Sequence, residues 1–321
     1  MPGRPEAFFL IGPTATGKSA VAQYLAERDG GDILSADSML VYRGLDVGTA
    51  KPTRLERERV RYWGVDLVDA VAPFNVAQFL AVAGEAAAAT AEARRRLIVV
   101  GGTGLYIKAL LRGLDSLPAA DPAARERWQA VLREGGTAAL RDVLRARAPQ
   151  WLAALADPNN GRRLARALEL VEAGMNEPPT SWTSAGELPA VTGLTASREG
   201  LERRIRERVA AMYRGGLLDE VRELIAIREF TAWPTAAQAV GYAEAVACLE
   251  GRLTEAEARE RTVIRTRQLA KRQMTWFRHQ CQVNWIDVTG DAGVPETAER
   301  VRQAWAATGP TPLALIATGR R

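Results

Sequence analysis

Gly12-Pro13-Thr14-Ala15-Thr16-Gly17-Lys18-Ser19 constrains the fold of this chain more than any other stretch. It follows the apolar run Ala7-Phe8-Phe9-Leu10-Ile11 and leads into Ala20-Val21-Ala22-Gln23-Tyr24-Leu25-Ala26-Glu27. The first flank reads as a buried strand and the second as a helix. That context separates a phosphate loop from an ordinary glycine-rich turn. The glycines let successive backbone N–H groups turn inward around phosphate oxygens, and the helix N-terminus adds its positive dipole end. Lys18 can reach the outermost phosphate, and the Ser19 hydroxyl can ligate a magnesium ion bridging two phosphates. The expectation is an α/β fold like that of the P-loop nucleotide-hydrolysing enzymes, with a parallel sheet flanked by helices and a site for a di- or triphosphate group.

A second strand is expected at Asp32–Asp37, ending on a carboxylate. In a doubly wound sheet the carboxyl ends of the strands face the ligand crevice, which places Asp37 beside the loop. The competing reading makes Asp37 a helix cap together with Ser38. Beyond it, Ser38–Pro52 is a loop rich in glycine and polar groups, Thr53–Tyr62 a short charged helix, and Val65–Val68 a candidate strand. Asn75 is a candidate cap for an alanine-rich helix running to about Arg95. Leu97-Ile98-Val99-Val100 is the clearest buried strand, and it runs into Gly101-Gly102-Thr103-Gly104. A nucleotide-hydrolysing enzyme usually ends such a strand on a magnesium-holding aspartate. Glycines there favour close backbone approach of a ligand instead.

Between Leu117 and Pro189 the pattern changes to helices: one from Asp121-Pro122, one opening at Thr137, and one over Gly161–Ala173, closed by a polar linker from Asn176. The expected organisation is a core of residues 1–117 and 190–321 interrupted by a helical insertion at 118–189. The sheet should resume at Val191–Thr195, followed by helices at Arg198–Arg214, Leu217–Arg228, Ala236–Leu249 and Glu255–His279. A final strand is expected at Val283–Asp287 and a final helix at Pro295–Ala306, with the tail beyond Gly309 loose.

Charge sharpens the functional side. The net charge is +5 with a pI near 9.5, which suits a polyanionic partner. Of 43 basic residues only Lys18, Lys51, Lys108 and Lys271 are lysines. Lys18 sits where a compact ammonium is needed; Lys108 reads equally as a functional ammonium or as a leftover of compositional bias. From Arg261 to Arg278 there are six cations and no acid. Such a helix can face phosphates along its length or simply pack its apolar side on the sheet. Cys248 and Cys281 read as free buried thiols, and a single histidine, His279, leaves no zinc motif. No apolar run approaches the ~18 residues of a membrane span, and the N-terminal apolar stretch belongs to the first strand. A cytoplasmic, monomeric protein away from membranes is the expectation.

Taken together, Gly12–Ser19, Ser35–Met39 through Val41–Gly44 and Asp46–Pro52, Gly101–Lys108, Asp157–Glu169, and Thr266–Gln273 with Thr275-Trp276-Phe277 resemble the tRNA dimethylallyltransferases, also called tRNA isopentenyltransferases. These segments occur in the family's order and span nearly the whole chain. The resemblance implies transfer of a dimethylallyl group from dimethylallyl diphosphate to the N6 amine of the adenosine 3′ to the anticodon. It implies Asp37 as the proton acceptor, and Gly12, Pro13, Thr14, Ala15, Thr16, Gly17, Lys18 and Ser19 around the diphosphate with Mg²⁺ on Ser19. It also implies help from Arg222 and Arg267 in holding diphosphate. Contacts to the tRNA anticodon stem-loop fall to Asp37, Ser38, Met39, Leu40, Thr103, Arg125, Gly161, Arg162, Arg163, Leu164 and Ala165. Three departures stand out: Leu40 replaces a common glutamine, Trp63-Gly64 replaces histidines, and Asn160-Gly161 replaces a pair containing proline. The rival readings are an ATP-dependent kinase of a small molecule or nucleoside, and a non-catalytic RNA-binding protein. The Gly101-Gly102 strand end opposes the first, and the joint retention of Lys18, Ser19 and Asp37 opposes the second.

Overall fold

The computed structural model describes residues 4–114, 117–118, 121–155, 157–179, 188–227, 235–290 and 292–315. The chain divides into two compact units, Met1–Gly113 with Glu187–Arg321, and Leu114–Gly186.

The larger unit begins with β1 (Glu6–Ile11), α1 (Lys18–Asp29) and β2 (Gly31–Ala36). Next come α2 (Arg54–Arg59), β3 (Tyr62–Trp63), α3 (Val76–Glu92), β4 (Arg96–Gly101) and α4 (Gly104–Arg112). The smaller unit is built from α5 (Pro122–Arg147), α6 (Pro149–Ala154) and α7 (Gly161–Glu172). The chain then returns through β5 (Val191–Thr195), α8 (Arg198–Arg214), α9 (Leu217–Ile227), α10 (Tyr242–Leu249) and α11 (Glu255–Gln280), and ends on β6 (Val283–Asp287), α12 (Val294–Thr308) and β7 (Thr311–Pro312).

Six strands lie in the order β3-β2-β4-β1-β5-β6, all parallel, and β7 adds an antiparallel pair to the start of β1. The two middle strands, β4 and β1, are flanked on both sides and read as continuous apolar runs because both faces are covered. Leu10, Val21, Leu25, Ile33 and Ile98 form one core with Val301 and Trp305 of α12. A second core gathers Tyr42, Leu45, Ile205, Met212, Leu217 and Tyr242 under the loop that follows β2. The phosphate loop and Asp37 therefore emerge at the carboxyl ends of two buried parallel strands, β1 and β2, with β4 between them. No helix among the described residues is long and apolar enough to cross a membrane.

Helix ends follow local chemistry. Thr53 and Asn75 both make capping boxes, with Glu56 and Gln78 respectively. In the smaller unit, Asp121 caps α5 ahead of Pro122, and Gly136 breaks that helix with φ +64 one residue before the helix start expected at Thr137. Its core is Trp128, Leu140, Leu144, Trp151, Leu164 and Leu168.

Four expectations need correction. Val65–Val68 is not a strand: Asp66 takes a left-handed φ of +56, and the segment pairs with the loop through the Tyr42–Val68 bridge. The edge strand is Tyr62–Trp63 instead, where a helix end was expected. The stretch 236–249 is a 3₁₀ turn, Ala236–Gln238, followed by α10, because Gly241 at φ +102 interrupts it. The tail past Gly309 is not loose at its start, since Leu313 is buried and its N–H donates to Pro5 O at 2.7 Å. Arg228 and most of the expected linker lie outside the described residues.

The loop between β2 and α2 is held by two charged knots. The buried Lys51 ammonium donates to Tyr42 O at 2.8 Å, to Asp66 at 2.6 Å and to Asp46. Burial alone would push the Asp66 carboxyl up, but hydrogen bonds from Lys51 and Arg57 outweigh it and leave the group below its ordinary value. Glu220 of α9 accepts from the backbone N–H groups of Asp46 and Val47 at 2.9 and 2.6 Å, and Tyr242 donates to the same carboxylate. Replacing Lys51 by Met would leave Asp66 and Asp46 short of a partner, so unfolding in urea should show a loss of ~2 kcal/mol. A loss below ~0.5 kcal/mol would mean the knot is marginal.

Candidate active site

The loop after β1 adopts its shape through local bonds. Gly12 (φ +138) and Gly17 (φ +85) hold backbone conformations closed to most side chains, and Ala15 joins them at φ +66. Thr16 Oγ1 and Lys18 Nζ both donate to Pro13 O, at 2.9 and 2.6 Å. The loop thus wraps its own carbonyl, and the start of α1 lines a cleft of about 330 Å³.

That cleft brings together Thr14, Gly17, Lys18 and Ser19 with Asp37, Leu40, Arg208 and Gln273. Lys18 is buried, and its ammonium is lowered to about pKa 7, chiefly by burial; Asp37 acts against that shift and Arg208 adds to it. Burial likewise lowers Arg208, with Asp37 opposing. Lys18 and Arg208 therefore share a poorly solvated space with the Asp37 carboxylate, and Glu56 also lines the cleft. Such a place suits a polyanion. Ser19 is exposed at its edge, and no hydrogen bond to its hydroxyl is found among the described residues.

Asp37 follows β2 directly. One carboxylate oxygen accepts from Met39 N at 2.9 Å, a local turn, while the other has no protein partner among the described residues. The neighbouring Ser38 N–H donates to Thr103 Oγ1 at 3.0 Å, and Thr103 N donates to Ala36 O at 3.1 Å. Thr103 therefore fastens the segment carrying Asp37 to the turn after β4. A smaller cavity of about 70 Å³ shares Thr14, Asp37, Arg208 and Gln273 and has apolar walls of Met39, Met212, Val240 and Leu269.

The glycines closing β4 serve contacts within the protein. A Cβ at Gly101 would lie 2.2 Å from Ala36 O, one at Gly102 2.2 Å from the Gln273 amide, and one at Gly104 2.3 Å from the Trp276 ring. These glycines thus let β2 and α11 pack closely on this turn, and Gly101 and Gly102 also line the cleft.

Other expected residues fall elsewhere. Arg222 pairs with Asp219, and Arg267 with Glu202 at 3.2 Å; neither lines the cleft. The cation beside Lys18 is Arg208 on α8, which the sequence offers only as one arginine among many. Leu164 and Ala165 are buried in the core of the smaller unit, leaving Arg162 and Arg163 on the exposed side of α7. Gly161 packs tightly, its absent Cβ falling 2.7 Å from Leu132, and Asn160 caps α7 through Arg163 N. Arg125 lies 3.6 Å from Glu169 in the same unit. Lys108 is buried away from the cleft and donates to Gln280. Trp63 donates to Asp32 and stacks under Arg61, a packing role for that departure. Among the described residues no group of three or more His, Cys, Asp or Glu could cage a metal.

Residues 40–280 match the family model described as IPP transferase, and residues 5–66 match that described as isopentenyl transferase. The tRNA dimethylallyltransferase of Acidothermus cellulolyticus is 38% identical over 304 residues, covering 92% of this chain and 93% of its own. That of Geobacter metallireducens is 41% identical over 285 residues, covering 87% and 91%. The full-length tRNA isopentenylpyrophosphate transferase of Bacillus halodurans aligns in structure with a TM-score of 0.67 at 34% identity, over 95% of this chain and 97% of that one. A eukaryotic dimethylallyltransferase captured acting on tRNA shares the fold at a TM-score of 0.74 and 22% identity, over 96% and 81%.

The depressed Lys18 has a consequence for stability. Its ordinary pKa of 10.5 falls to about 7 on folding, so the folded state is disfavoured below pH 10.5 and most of all below pH 7. Lys18→Met should therefore raise Tm by a few degrees at pH 6.5, with the gain shrinking toward pH 10. Thermal unfolding across that range checks it.

Proposed function

This chain belongs to the IPP transferase family, the tRNA dimethylallyltransferases, and from that premise we propose how its cleft carries out tRNA prenylation. The donor is dimethylallyl diphosphate, and the acceptor is N6 of the adenosine 3′ to the anticodon. The observation that carries this reading is the single cleft in which the phosphate loop, Lys18 and Arg208 face Asp37.

The diphosphate lies against the loop amides, Lys18 and Arg208. Charge grows on it as the allylic C–O bond breaks, and donors already pointing there need no reorganisation. Lys18, its pKa lowered to about 7 without ligand, holds its proton once the polyanion arrives. The dimethylallyl group fits the apolar cavity between Met39, Met212, Val240 and Leu269, next to Asp37. An adenine amine is a weak nucleophile, so its proton must leave as the C–N bond forms. The proton passes to the Asp37 carboxylate oxygen that Met39 N leaves free. Adenine reaches this cleft only by leaving its stack.

Magnesium fits the site as a partner of the substrate. Ser19 would offer its hydroxyl, with diphosphate oxygens and water completing the shell, as this hard cation prefers. Bound there, the ion would add to the neutralisation of the departing diphosphate. The exposed Arg162 and Arg163 on α7 supply phosphate contacts for the anticodon stem.

With dimethylallyl diphosphate, Mg²⁺ and an anticodon stem-loop, the protein should add one dimethylallyl mass to the RNA. Asp37→Ala should lower kcat by roughly two to four orders of magnitude while stem-loop affinity holds; parallel loss of both would make Asp37 a structural turn residue. Arg163→Glu should do the converse, weakening stem-loop binding and flattening its salt dependence. Unchanged filter-binding curves for that variant would remove α7 from the RNA interface.

A further inference from the structure

Gln273 lies on the cationic helix α11, yet its carboxamide turns into the cleft and, among the described residues, bonds only to backbone. Its Oε1 accepts from Thr14 N at 2.8 Å and its Nε2 donates to Gly102 O at 3.1 Å. One planar amide thus joins the third residue of the phosphate loop to the turn after β4. The surroundings are shaped around it. Gly102 has no room for a Cβ because Gln273 Nε2 would be 2.2 Å away. Ala15 holds a left-handed φ of +66, disfavoured for any residue with a Cβ, and the bond on Thr14 N fixes the residue that leads into it.

From Gly102 the chain passes to Thr103, whose hydroxyl accepts from Ser38 N and whose own N–H donates to Ala36 O. Asp37 is the residue between those two. A continuous path of bonds therefore runs from the phosphate loop through Gln273 and Thr103 to Asp37. All of it lies within the larger unit.

We propose that Gln273 is a positioning residue for the transfer reaction: its amide sets the spacing between the diphosphate cradle and the Asp37 carboxylate. This rests on the reading of that loop and that carboxylate given above. Displacement at an allylic carbon requires leaving group, nucleophile and proton acceptor to be held in register, and an error of about 1 Å can cost roughly 100-fold. Methionine at 273 matches the length of glutamine and removes both hydrogen bonds.

The test is a double-mutant cycle on the full-length protein with stem-loop RNA, dimethylallyl diphosphate and Mg²⁺. Gln273→Met should lower kcat about 10- to 100-fold while stem-loop Kd and the inhibition constant of inorganic pyrophosphate stay within about threefold. In an Asp37→Ala background the same change should cost no more than about threefold, because the group being positioned is gone. Native-like kcat in Gln273→Met, or its full loss repeated in the Asp37→Ala background, overturns the proposal. So does pyrophosphate affinity lost in step with kcat, which would make Gln273 a loop-shaping residue alone. Should Gln273→Met fail to fold, Gln273→Asn, too short to reach both partners, carries the same comparison. A native protein that leaves the RNA unmodified refutes the functional reading, whereas an active native protein indifferent to Gln273→Met refutes only this inference.

Discussion

The structure depends on one electrostatic arrangement: two basic groups, Lys18 and Arg208, held in a poorly solvated cleft where the Asp37 carboxylate acts on both. Burying cations is costly, and proteins keep such a cost where a ligand repays it. The surrounding architecture serves to maintain that arrangement. Buried β1 and β4 fix the loop and the turn, and α8 brings Arg208 in, where it donates to Thr49 O at 2.9 Å. Lys18 rests on Pro13 O in the meantime.

Rigidity on the other side of the cleft comes from a loop without regular structure. Residues 38–52 would be mobile if left to backbone bonds alone. Lys51 and Glu220 prevent that by tying the loop to its own carboxylates and to α9, and Tyr242 completes the second knot. Lys51, one of only four lysines, is thus an anchor for the segment that follows Asp37.

How much of this was legible beforehand follows from the range of the interactions. The phosphate loop, α1, β4 and the capped helices are specified by neighbours in sequence, and their limits fall within a few residues of the expected ones. Asp37 was placed by topology alone: a residue after a parallel strand faces the crevice. Arg208 could not be singled out, because α8 carries Arg198, Arg203, Arg204, Arg206, Arg208 and Arg214 and only tertiary packing decides which one enters the cleft. Gln273 was visible as the end of a family-like segment in a basic helix, but its two backbone partners, Thr14 and Gly102, are far away in sequence. β7 is two residues long and paired across the whole chain, beyond the reach of any periodicity. The glycines after β4 were recognised as a close approach; β2 and α11 also pack against them, which local sequence does not reveal.

The account's central claim concerns the geometry of one ternary complex. A crystal structure with stem-loop RNA and a non-reactive diphosphate analogue of the donor tests it most directly. The account requires the diphosphate on the loop amides between Lys18 and Arg208, and the extruded adenine's N6 within about 3 Å of an Asp37 oxygen. An adenine amine facing another group, with Asp37 still turned only toward Met39 N, would contradict it.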